Sequence, residues 1–166
     1  MKQYDVKGNV HEDGRRRPIG YILSKTGHRD LAVIGHYETP CGGCDTIPKM
    51  EHIFELVRQS HAAGMDVVFE GLLISADSKR TLLLYEDELP LTVVALTTPI
   101  EICLAGINDR RIKRMGDKYT PVNPKNTEAK YKGVKSSMTK LQDAGVDARW
   151  CSREEAAETV RRLLDV

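Results

Sequence analysis

Aromatic residues are scarce. They make up 5% of the 166 residues, with a single tryptophan, Trp150, and two phenylalanines. The interior must then be built from Val, Ile, Leu and Ala, the residues of a sheet buried on both faces. Long apolar runs are missing too. None approaches the roughly 18 residues a membrane helix needs, which excludes a helical span. The opening stretch, MKQYDVKGNVHEDGRRR, is polar and is no secretory signal. A cytoplasmic location is expected, where Cys41, Cys44, Cys103 and Cys151 are reduced thiols. A large net charge is also absent, at +1 overall, but the charge is unevenly spread. Arg110 to Lys140 carries ten Lys/Arg against two acids, and the remainder 15 against 22. That local excess points to an anionic partner, either phosphate groups or nucleic acid.

The length predicts one domain, residues 1–166. Residues 1–17 show no clear periodicity. Pro18–Leu23 and Leu31–Glu38 are short β-prone runs around a glycine-containing turn, the pattern of a hairpin. Thr39–Pro48 holds two prolines and an adjacent glycine pair and reads as a loop. A helix is predicted from about Lys49 to Ala63, stopped by Gly64. From Met65, MDVVFEGLL reads as a buried strand, followed by a helix capped by Ser75 and running to about Tyr85. Leu91–Leu96 is a further strand. Thr98-Pro99 opens a helix to about Lys113, and a loop extends to Lys125. Thr127 caps the next helix, which Gly145 ends. Val146–Trp150 is a strand, and Ser152 with Glu155 forms a capping box for a last helix to Leu164. This alternation predicts an α/β fold with a parallel sheet flanked by helices.

Three segments carry candidate chemistry. Glu70 sits at the C-terminal end of an apolar run, at the sheet edge where ligands of open α/β folds bind. The second segment, Gly35 to Pro48, gathers His36, Glu38, Cys41, Cys44 and Asp45. One reading is half of a zinc site, although no second C-x-x-C or H-x-x-H pair supplies four ligands. Cys103 and Cys151 fall on a helix and just after a strand. The other reading is substrate recognition by His36 and Glu38, with Gly42 and Gly43 letting backbone amides approach closely. Asp45 could equally cap its own turn or the next helix. The third segment, Lys118 to Ser137, interleaves basic residues with Tyr119 and Tyr131. It suits either a nucleic-acid backbone or a solvated helix face, with Lys118 and Lys125 as substrate-binding candidates.

The stretch LTVVALTTPIEICLAGINDRRIKRMG resembles the strand, T-P-x-E-x-C-L helix and arginine-bearing lid of small P-loop kinases of the nucleotide and polynucleotide kinase type. The motifs R-R-x-P-I-G-Y, G-H-Y-E-T-P-C-G-G-C-D-T, F-E-G-L-L and P-V-N-P-K-N-T extend the resemblance to phage proteins over nearly the whole chain. It implies ATP and Mg²⁺ as cofactors and a nucleotide or DNA as acceptor. A phage enzyme class of this fold phosphorylates 5-hydroxymethyluracil in DNA. It also implies a lid over about 110–126, with Arg110, Arg111 and Arg114 neutralising phosphoryl charge and Arg110 and Arg114 holding the nucleotide. Asp45 would take the proton of the attacking hydroxyl, with Glu38 in reserve, and Glu70 would serve the metal or the acceptor. Apart from the resemblance, the arginines also suit a solvated helix end, where they complement the dipole.

No G-x-x-x-x-G-K-[ST] occurs among the 166 residues; Gly133 comes closest, with Val134 between it and Lys135. Kinases of this type start with that strand, loop and helix. Residues 1–4 would then match the end of the first helix. The expectation is therefore a kinase-like chain that is shortened, is a non-catalytic nucleotide or nucleic-acid binder, or takes the loop from a partner polypeptide. Exposed apolar surface left by the missing elements would favour homo-oligomers.

Overall fold

The computed structural model describes residues 4–39 and 42–165. Residues 1–3, expected to end a helix, lie outside the described residues. Tyr4 is not helical, and a strand the sequence did not announce follows: β1, Asp5–Val10. It is an exposed edge strand whose register shifts between Val6 and Gly8. That irregularity, and the poverty of its pattern in buried apolar residues, is why period-2 reading missed it. β1 pairs antiparallel with β2, Gly20–Ser24, and β2 with β3, Leu31–Ile34, which is the expected hairpin.

From β3 the chain crosses through α1, Met50–Ala62, to β4, Asp66–Phe69, which lies parallel to β3. Ile53, Phe54 and Val57 are the buried face of α1. Full burial of one such side chain contributes about 1.5–3 kcal/mol. The first sheet is thus mixed, ordered β1-β2-β3-β4. β5, Thr92–Leu96, and β6, Asp147–Cys151, form a separate parallel pair. This corrects the expectation of one parallel sheet. β4 and β5 each have a single partner, and among the described residues no backbone hydrogen bond joins them. Both therefore carry an open edge.

The link between β4 and β5 is two helices, α2, Leu72–Ser75, and α3, Ser78–Glu86. Ser75 is not the cap: Asp77 is, accepting from Arg80 N at 3.0 Å, because an aspartate carboxylate competes better for the free amides than a hydroxyl already bonded to Gly71 O. α4, Ile100–Met115, and α5, Pro124–Asp143, lie between β5 and β6, and α6, Arg153–Leu163, follows. α4 starts after Pro99, with no side-chain cap from Thr98. α5 starts one turn earlier than expected, since Asn123 caps Lys125 N and Pro124 supplies the fixed φ of the first turn; Thr127 lies inside the helix. The Ser152–Glu155 capping box is present.

Two apolar clusters result. One joins β3 and β4 to α1 and α3, around Phe54, Ile53 and Leu84. The other joins β5 and β6 to α5, around Met138 and Leu141. Leu91 packs against both. Among the described residues no helix is long and apolar enough to cross a membrane.

Candidate functional site

β3 and β4 end side by side, with Ile34 opposite Phe69. The chain leaves them as Gly35-His36-Tyr37 and as Glu70-Gly71. The segment from Gly42 onward lies across both exits. Gly43 N donates to His36 O at 2.9 Å, and Cys44 N donates to Glu70 O at 2.8 Å. The short 3-10 turn Cys44–Thr46 is held by Thr46 Oγ1 donating to Gly43 O at 2.7 Å. Gly43, at φ 74°, occupies the left-handed region and lies directly against Glu70. A β-carbon on Gly35 would strike the Gly43 backbone, and one on Gly42 would strike His36 O. The glycines thus let two stretches of this chain meet.

Three titratable groups collect at this edge. The Tyr37 hydroxyl is hydrogen-bonded to the Glu70 carboxylate. Desolvation by the surrounding loop pushes the Glu70 carboxyl upward, and nearby Asp45 adds to this; the bond from Tyr37 works the other way. Tyr37 is itself pushed well above the ordinary phenol range, first by burial and then by Glu70. Asp45 accepts from Leu72 N and Leu73 N, both at 3.0 Å, so its carboxylate closes the free amides at the start of α2. The expected cap on its own turn or on the next helix, α1, is not what Asp45 makes: neither has a side-chain cap, and the carboxylate reaches across to α2 instead, with each oxygen keeping lone-pair capacity toward solvent.

Cys44 is fully buried, its thiol donating to Ile34 O at 3.5 Å. Burial pushes it up to about 12, which disfavours the thiolate a metal requires. Cys41 lies outside the described residues. Cys151 is buried at the end of β6, Cys103 stands on α4, and no cluster of three potential ligands occurs among the described residues.

His36 is 4% exposed, and its Nδ1 has no hydrogen-bond partner among the described residues. It lines an open cleft of about 800 Å³ with Glu38, Thr39, Thr46 and the run Arg15-Arg16-Arg17. In the sequence these three arginines and Tyr37 stand out only as parts of the motifs that carry the resemblance, with no role in a site. The arginine run directly before Pro18 was the available signal, obscured by the lack of periodicity around it.

The arginines expected in a lid lie at the C-terminal end of α4. Arg110, Arg111 and Arg114 occupy the last turns of α4, a helix in which no residue is fully buried. The range 110–126 is thus largely helical rather than a loop, comprising the end of α4, a 3-10 turn Gly116–Lys118 and the start of α5. Local bonds fasten it: Arg111 Nη1 donates to Thr120 O at 3.1 Å, and Val122 N donates to Asn108 Oδ1 at 2.9 Å. Arg110, Arg114, Lys118 and Lys125 are exposed. Among the described residues no hydrogen bond or ion pair connects any of them to Glu70 or Asp45.

The edge can accept a proton at Glu70 and present phosphate-binding cations from separate elements. The chain is similar to a 5-hmdU DNA kinase of Pseudomonas phage PaMx11, 46% identical over 165 residues, which span 99% of this chain and 87% of that protein. No family model and no solved structure matches the chain.

Proposed function

Because the chain belongs to the family of the phage 5-hmdU DNA kinase, we propose that it transfers the γ-phosphoryl group of ATP to the hydroxymethyl oxygen of 5-hydroxymethyl-deoxyuridine in DNA. The observation that carries the reading onto specific residues is the Glu70–Tyr37 pair at the C-terminal edge of β3 and β4. The acceptor hydroxyl gives its proton to Glu70 as its oxygen bonds to phosphorus, and the bond to the departing ADP breaks. A carboxylate held above its ordinary range is a better base near neutral pH than an unperturbed one. That favours Glu70 for the proton. Asp45, with two amides on its carboxylate, acts as a brace for the Gly71–Leu73 turn. Mg²⁺ supplies charge neutralisation on the phosphates and is ordinarily held by one or two carboxylates together with the phosphates and water. The outward lone pairs of Asp45 fit that requirement. Arg110, Arg111 and Arg114 would approach the donor phosphates on closure of the α4–α5 connection, and Lys118 and Lys125 would add to the same field.

We further infer a P-loop kinase architecture in which the phosphate-binding loop comes from polypeptide outside these 166 residues. The open edges of β4 and β5 support this, since one parallel strand between them would join the two sheets. The test is phosphate transfer from labelled ATP to an oligonucleotide containing 5-hydroxymethyl-deoxyuridine, with a thymidine oligonucleotide as control. It is run on the 166-residue chain and on the same chain extended by the in-frame sequence encoded upstream. Transfer only by the extended chain, and only to the hydroxymethylated DNA, is expected. Transfer by the 166 residues alone overturns the inferred loop. Transfer by neither overturns the kinase reading and leaves a nucleic-acid binder of this fold.

A further inference from the structure

We propose that the cleft between Arg15-Arg16-Arg17 and the His36–Thr39 exit of β3 binds the phosphodiester backbone of DNA beside the acceptor base. The inference rests on the DNA-acceptor reading above and assigns it a surface. Three observations carry it.

The first is charge. Three consecutive arginines meet one acid, Glu38, across the cleft. Arg16 and Arg17 are exposed, and no carboxylate of the described residues pairs with either. Arg15 is different: its Nη2 donates to Thr46 O at 2.8 Å, while Nη1 has no hydrogen-bond partner and stands 3.6 Å from Glu12. Arg15 thus ties the arginine run to the turn that carries Asp45 and pairs with Glu12, which leaves Arg16 and Arg17 as the two free cations of the run among the described residues. Planar guanidinium groups bind phosphate oxygens in pairs.

The second is His36. An imidazole 4% exposed normally satisfies both ring nitrogens, yet Nδ1 has no partner among the described residues and the residue lines the cleft. A phosphate oxygen or the water beside it would supply that partner. The third is position. His36 immediately precedes Tyr37, whose hydroxyl is bonded to Glu70. A strand whose backbone follows the arginines would deliver its base toward the proton acceptor. A single diester charge per nucleotide tolerates Glu38 at the cleft wall, whereas the concentrated charge of a nucleoside triphosphate is repelled by it. This favours the DNA backbone over the phosphate donor.

The experiment uses the 166-residue chain, a fluorescent oligonucleotide containing 5-hydroxymethyl-deoxyuridine, and the double variant R16A/R17A. Both side chains are exposed and without ion-pair partners, so the variant is expected to melt as the parent does. Affinity is measured by anisotropy between 50 and 200 mM salt. Each lost phosphate contact lowers the slope of log K against log salt by about 0.9 for duplex or 0.7 for single strands. The expected result is at least tenfold weaker DNA binding and a slope reduced by one to two contacts, with R16K/R17K recovering part of both. ATP binding by the variant is measured in parallel. Unchanged DNA affinity and slope overturn the proposal even if the extended chain phosphorylates the DNA. A loss confined to ATP affinity overturns it too, by making the cleft a donor site. Weakened DNA binding supports the cleft even if the extended chain transfers no phosphate, a failure that sinks only the kinase reading.

Discussion

Gly43 lies so close to Glu70 that a β-carbon at position 43 would stand 2.1 Å from the Glu70 Oε1. The loop and the strand-end acid therefore fix one another. The Gly43→Ala variant must strain a left-handed backbone and push the carboxylate aside. The backbone part costs about 1–2 kcal/mol, which corresponds to a fall in melting temperature of several degrees for a chain this size. Phosphate transfer, assayed where both proteins remain folded, should fall further than that loss accounts for. Equal activity in the variant would mean that the position of Glu70 is immaterial.

The pH dependence follows from the direction of the Glu70 shift. Its pKa is raised in the fold, chiefly by desolvation, so the folded protein holds this proton at pH values where the unfolded chain has lost it. Ionised Glu70 therefore costs stability, beginning as pH rises through the ordinary glutamate range. A base must be ionised, so the acidic limb of kcat/KM should lie above that range. Tyr37→Phe removes the hydrogen bond that lowers the Glu70 pKa, and the limb should move further up in pH. A limb that stays in place in Tyr37→Phe, or persists in Glu70→Gln, counts against Glu70 as the base.

Asp45 presents a separable structural role. Asp45→Ala strips the carboxylate from two amides at the start of α2 and should cost about 1 kcal/mol, by analogy with lost helix caps. Asp45→Asn keeps an acceptor oxygen and should cost less. Urea unfolding midpoints of the two variants give the comparison, and equal midpoints for both and the parent would show the caps to be energetically idle.

Phe54 is 2% exposed and packs edge-on to Phe69 with ring centroids 6.2 Å apart. Phe54→Ala should cost about 3–5 kcal/mol, the usual range for a large core deletion. Denaturant unfolding measures this directly, and a loss under 1 kcal/mol would contradict the packing described.

The helices and most strands were legible because each carries a local signal. Gly64 and Gly145 stop their helices, Ser152 and Glu155 form their box, and Leu31–Ile34 is a clean apolar run. Glu70 was legible for the same reason, as a charge where an apolar run ends. The rest depends on partners far away in sequence. β1 exists because β2 offers it an edge, and its own residues scarcely announce it. The split between β4 and β5 is a property of neighbours, which no window of sequence contains. Asp77 and Asn123 displaced the expected caps because the choice among nearby oxygens is settled by turn geometry. Tyr37 gained meaning only when the chain folded it onto Glu70, and the Arg15–Arg17 run only when it faced His36.

Leu91 touches both apolar clusters and belongs wholly to neither. A molecule joined in this way has a natural seam. α3 adds to the join, with Leu84 in one cluster and Leu82 against the other, and the half built on β5, β6 and α5 is expected to open at a lower free energy than the hairpin half. Backbone amides of Val93 and Ala148 should then exchange with solvent at a different free energy from those of Ala32 and Val67. An occupant bridging the halves would bring the two rates together, which makes amide exchange a reporter of assembly as well as of stability.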